Sequence, residues 1–130
     1  MDRKTEVQEW LDFAERDLDV AVILSEHHPI AREIVCYHCQ QAVEKYLKAY
    51  LVSAGVSFEK VHDLERIAAM CAPFDDTLGR FKDSFRSLTV FGVVTRYPSS
   101  VEITIADVTE SLEKSKALRD YLLPRITALL

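Results

Sequence analysis

The chain is short of the residues that break helices. Its 130 residues include only three glycines and four prolines. Few turns are therefore available, and long helices with short connections are expected. Three cysteines make an odd number. Free thiols in a reducing compartment are the reading for such a set. No apolar run approaches the roughly 18 residues that span a bilayer. The opening MDRKTEVQEW has no apolar stretch and does not read as a secretory signal. A cytoplasmic protein without a membrane segment is expected. Positive charge is also scarce: the net charge is −5, which excludes a generally basic nucleic-acid binder.

That deficit is uneven. Residues 1–26 hold eight acids and three bases, a balance of −5, whereas 80–98 set Arg80, Lys82, Arg86 and Arg96 against Asp83, a balance of +3. The second segment could face an anion, although a solvated helix face reads the same way. The length suits a single domain over 1–130 with a real core.

The helical period organises the rest. Val7, Trp10, Leu11, Ala14, Leu18, Ala21 and Val22 mark a first helix over Thr5–Ser25. The second, Ile34–Ala54, contains no glycine or proline. Val35, Cys36, Cys39, Ala42, Val43, Tyr46, Leu47 and Tyr50 share one broad face, and His38, Gln41, Lys45 and Lys48 share the opposite one. Asp63 is a candidate N-cap for a third helix with Leu64, Ile67, Ala68 and Cys71 on its apolar side. Asp75 and Asp76 are expected to open a fourth, with Leu78, Phe81, Phe85 and Leu88 buried. Thr104 with Asp107 resembles a capping box for a fifth helix that reaches the C-terminus. Pro124 should kink it or fray its end. FGVV at 91–94 and VEIT at 101–104 are ambiguous between strand and helix. The expected fold is all-α, an antiparallel up-and-down bundle of four main helices plus a short extra one. Phe81, Phe85, Phe91, Tyr46 and Tyr50 are more aromatic surface than a small bundle needs, so some are candidates for a two-fold interface.

Three groupings could carry chemistry. Cys36-Tyr37-His38-Cys39 has the CxxC spacing of redox pairs and half zinc sites. It lies within a continuous helix, on the apolar face, with no second CxxC, so buried small hydrophobes are the preferred reading and no metal or cofactor is expected. His38, Gln41 and Lys45 fall within about 60° on one helix and could converge on a phosphate; the alternative is a solvated face. Arg96-Tyr97-Pro98 offers a forked cation beside a rigid backbone position.

These pieces resemble the HEPN family, small helical domains named for nucleotide binding in higher eukaryotes and prokaryotes. The likeness runs through Trp10, Ala14-Glu15-Arg16-Asp17-Leu18, the run His38-Cys39-Gln40-Gln41-Ala42-Val43-Glu44-Lys45-Tyr46-Leu47-Lys48-Ala49, Gly55, His62-Asp63-Leu64 and Arg96-Tyr97-Pro98. The resemblance implies a homodimer in a prokaryotic setting. Such proteins are often encoded beside a minimal nucleotidyltransferase and viewed as nucleotide-binding or toxin–antitoxin modules. Many are metal-independent ribonucleases, in which an Arg, four to six intervening residues and a His lie near the start of the last long helix. Arg96 corresponds to that Arg, but no His follows His62. Arg32 and His38 match the spacing in the wrong helix, about 240° apart. The reading is thus a dimerising nucleotide- or RNA-binding partner with Arg96, Tyr97, His38, Gln41 and Lys45 as binding residues and no catalytic pair. A ribonuclease with a substituted site, using His38 or Tyr97, and a scaffold that binds no nucleotide are the alternatives.

Overall fold

The computed structural model describes residues 1–94 and 102–130. It is helical throughout, with no strand among the described residues. The elements are α1 (Arg3–His27), α2 (Arg32–Ser53), α3 (Leu64–Cys71), a 3-10 turn (Leu78–Phe81), α4 (Lys82–Thr89), α5 (Phe91–Val94) and α6 (Ile105–Ala128).

Local sequence sets most boundaries. Asp2 accepts the Thr5 backbone N–H at 2.7 Å, so α1 starts two residues before Thr5. Gly55, at φ 74°, closes α2. Its N–H donates to the Val52 carbonyl and that of Val56 to Leu51, both at 2.9 Å. This is a Schellman motif, whose left-handed position glycine enters without strain. Asp63 caps α3 through the Glu65 and Arg66 amides. The Thr104–Asp107 capping box forms as expected, with reciprocal bonds of 2.8 and 3.1 Å. Helix α6 runs through Pro124 as far as Ala128. The FGVV stretch forms α5, so it is helix and not strand.

The expected fourth helix is present with its buried edge of Leu78, Phe81, Phe85 and Leu88, but its first turn is 3-10. Residues after Pro73 make turns and a 3-10 segment before α4 begins at Lys82. Asp75 does not sit on a solvated helix start. It is buried and accepts from the Tyr121 hydroxyl (2.9 Å), the Tyr50 hydroxyl (3.0 Å) and the Thr77 and Leu78 amides (3.1 Å each). The Thr77 and Leu78 bonds are those of an N-cap and open the helical segment that begins as the 3-10 turn and continues into α4, while the tyrosine bonds tie this start to α2 and α6. One side of the bundle is therefore built from short segments, and three long helices make the rest.

Helix α2 is the centre. It packs on α1, α6, α3, α4 and α5. Helix α1 is antiparallel to it: Trp10 meets Lys48 and Asp17 meets His38. Helix α6 runs parallel to α2, since Ser111 meets Cys36 while Tyr121 and Tyr50 share Asp75. All eight residues assigned to the apolar face of α2 are buried. Tyr46, Tyr50 and Phe85 lie inside the bundle, and Phe81 packs against the core, so these four of the aromatic residues considered for an interface serve the interior. Each large side chain so buried stabilises the fold by about 1.5–3 kcal/mol. Among the described residues, no helix is long and apolar enough to cross a membrane.

Candidate functional site

The polar side of α2 is not one ladder. It divides between two clusters, each anchored by an acid.

The first cluster is Asp17, His38 and Lys45. Asp17 stands in the buried stripe of α1, one residue before Leu18. Its carboxylate receives His38 Nδ1 at 2.8 Å on one oxygen and Lys45 Nζ at 2.5 Å on the other. The side chains are 12 %, 26 % and 22 % exposed respectively. Burial pushes the Asp17 carboxyl up, but the hydrogen bonds from His38 and Lys45 outweigh it and hold the group below the usual carboxylate range. The acid thus stays ionised and fixes two donors side by side. The two remaining N–H groups of Lys45 can meet an anion, and His38 Nε2 adds a third donor in the ring's protonated form. Lys45 also lies 5.7 Å from the centre of the Phe13 ring, which Arg16 approaches at 4.9 Å. Tyr37 packs edge-on against the His38 ring.

The second cluster is Gln40, Glu44, Lys48 and His62. Lys48 Nζ bonds Glu44 at 3.0 Å, with side chains only 8 % and 4 % exposed. Gln40 Nε2 donates to Glu44 and to the His62 carbonyl, both at 3.3 Å. His62 Nδ1 reaches Glu44 at 3.0 Å. Lys48 lies over the rings of Trp10 (5.6 Å) and Phe58 (5.8 Å), which meet edge to face. A buried ion pair with this many partners fixes register between α1, α2 and the 55–63 connection.

The structure therefore sorts the residues named from the sequence. His38 and Lys45 converge on Asp17. Gln41 does not join them: its Nε2 donates to Gln40 at 2.7 Å and extends the second cluster. Lys48, placed on the polar face from the sequence, is buried. Arg96 and Tyr97 lie outside the described residues. Arg32 and His38 are not a pair: Arg32 donates to the Ile103 carbonyl at 3.3 Å, while His38 faces α1. Cys36 and Cys39 face α6, where Ser111 approaches the Cys36 sulfur at 3.5 Å. Burial pushes the Cys39 thiol up to about 12, which makes it a poor nucleophile and a poor ligand.

Sequence reading missed Asp17 and Glu44 as anchors. Both carried a signal. Asp17 is an acid set within an apolar helical stripe, and Glu44 precedes Lys48 at the i, i+4 spacing that favours Glu–Lys pairing.

A small helical bundle with a charged central helix is the class of protein this fold and site define. Residues 7–126 match the family model of the HEPN domain, and the chain belongs to that family. An archaeal HEPN homologue of known structure aligns with a TM-score of 0.72 at 20% identity, over 92% of this chain and 97% of its own. A protein from Thermus thermophilus aligns with a TM-score of 0.79, also at 20% identity, over 95% of this chain and 98% of its own. At that identity the likeness is one of fold. No curated protein matches the chain significantly.

Proposed function

We propose that this HEPN-domain protein acts as one unit over 1–130, dimerises, and binds the phosphate of a nucleotide or RNA. In this reading it serves a minimal nucleotidyltransferase in a prokaryotic toxin–antitoxin-like module. One observation carries the binding part: Asp17 holds His38 and Lys45 side by side, partly exposed, with N–H groups left over. A carboxylate that orients an ammonium and an imidazole side by side lowers the ordering cost of a phosphate site. Arg96 and Tyr97 are assigned to the same function from the sequence. Each charge-assisted contact to phosphate is worth on the order of 1–3 kcal/mol. Lys45→Ala and Arg96→Ala should each weaken nucleotide binding about tenfold, read by calorimetry. Unchanged affinity in both variants rejects the phosphate site. Co-purification with the product of the neighbouring gene tests the partner.

A second reading has its own support. The Asp17–His38 contact at 2.8 Å fixes an imidazole tautomer, as a carboxylate does for a general base. Ribonuclease activity by 2′-OH attack would then run through His38 in place of the missing downstream His. Metal-free RNA cleavage lost in His38→Ala supports it; cleavage no greater than in that variant rejects it.

A further inference from the structure

A groove of about 680 Å³ opens along the N-terminal half of α1 beside Lys45 of α2, lined by Met1, Glu6, Glu9, Trp10, Phe13 and Lys45. Its size suits a small organic ligand. Its lining is ordered along one direction. Glu6, Trp10, Phe13 and Asp17 follow each other at i, i+4, i+7 and i+11, hence on one helix face. Two carboxylates, Glu6 and Glu9, stand at one end. Two aromatic rings form the floor. Arg16 and Lys45 flank Phe13, and Lys45 continues into the Asp17–His38 cluster.

The aromatic floor is prepared in advance. Trp10 is held by Phe58 and Lys48, so its ring does not have to be ordered by a ligand. Phe13 is 50 % exposed, although it sits beside a core into which a phenylalanine would normally turn. A half-exposed Phe13 beside the partly buried Trp10, with cations next to both, is the kind of surface on which bases stack while phosphates are neutralised. The distances agree. At 1.5 Å per residue, Trp10 and Phe13 lie about 10 and 6 Å along the helix from Asp17, close to the span from a base to its 5′-phosphate. The acidic end selects among bases. Carboxylates only accept hydrogen bonds, and guanine presents two adjacent N–H donors on its pairing edge where adenine presents one.

The geometry points to a guanine-nucleotide site: the base stacks on Trp10 and Phe13 with its donor edge toward Glu6 and Glu9, and the phosphate meets Lys45 and His38. This rests on the phosphate reading above and adds the base, its identity and its place.

Trp10 is the sole tryptophan, so its fluorescence reports on the groove directly. GMP, AMP and ribose 5-phosphate are titrated into the full chain, by fluorescence corrected for absorption and by calorimetry. GMP should quench Trp10 saturably and bind about tenfold tighter than AMP or ribose 5-phosphate. Phe13→Ala, an exposed position, should weaken GMP about tenfold and leave ribose 5-phosphate within about twofold. GMP binding seen by calorimetry without a change at Trp10, and unaffected by Phe13→Ala, overturns the groove while the phosphate site stands. Equal affinity for AMP and GMP overturns the guanine assignment. If neither GMP nor ribose 5-phosphate binds, the phosphate reading fails and this site fails with it. A uridine-rich RNA carrying one guanine separates the sources: tighter binding than GMP assigns the site to RNA, and equal binding to the free nucleotide. Both outcomes support guanine in the groove.

Discussion

Two aspartates show how one residue type takes different work from its surroundings. Asp17 orients donors at the surface, while Asp75 ties a helix start to two other helices. Asp75 is the cleaner probe of stability. Burial raises its carboxyl, but bonds from Tyr121, Tyr50 and Thr77 prevail and hold it below its ordinary value of 3.8. A carboxyl depressed by folding contributes stability above its unfolded value, and that stability is lost as the pH falls through the folded one. The wild-type protein should thus lose stability steeply below about pH 4. Asp75→Asn should cost about 2–4 kcal/mol at neutral pH, because donors and the Arg125 guanidinium at 3.6 Å lose their anion. The same variant should show a flatter acid limb. Chemical denaturation at a series of pH values measures both effects, and parallel curves for the two proteins would count against this role for Asp75.

At the scale of the element, α2 is a central strut and not an amphipathic surface helix. Sequence reading identified its apolar face correctly, residue by residue. It read the opposite face as solvated or functional because His38, Gln41, Lys45 and Lys48 are polar. In the fold, α1 and the short segments cover that face too, so Gln40, Glu44 and Lys48 are buried with it. Helix α5 shows how tight the cover is. A Cβ on Gly92 would come within 2.9 Å of Gln40 Cδ and 3.0 Å of its Oε1. Gln40 is tied to Glu44 and to the His62 carbonyl, so it cannot yield cheaply. Gly92→Ala should destabilise by about 1–3 kcal/mol. Gly79 is the control: nothing lies within 4 Å of its added Cβ. Gly79→Ala should be neutral, or stabilising by about 0.5 kcal/mol through the unfolded chain. Thermal melts of the pair make the comparison, and equal effects would mean that α5 does not press on Gln40 as described.

For the whole molecule, the proposed dimer makes the simplest prediction. Light scattering at micromolar concentration should give twice the 14.9 kDa mass of the chain; a monomer mass would remove dimerisation from the proposed function. Tyr46, Tyr50 and Phe85 cannot supply such an interface, because the bundle has already buried them. Among the apolar side chains left outside are Phe13, Ile23, Ile30, Ile34 and Ile105, exposed by 42 % or more.

The sequence by itself determined the helical class, the HEPN kinship, the buried face of α2 and the caps at Asp63 and Thr104. Those depend on period, spacing and side-chain-to-backbone bonds within three or four residues, which are local and therefore visible in one dimension. Only the tertiary structure decided that Asp17 gathers His38 and Lys45, that the Gln40–Glu44 pair meets His62, and that Asp75 is buried under Tyr50 and Tyr121. Each of these joins residues 18 to 46 positions apart. What a polar side chain meets across an interface is set by how helices pack, and neither its type nor its helical angle carries that information.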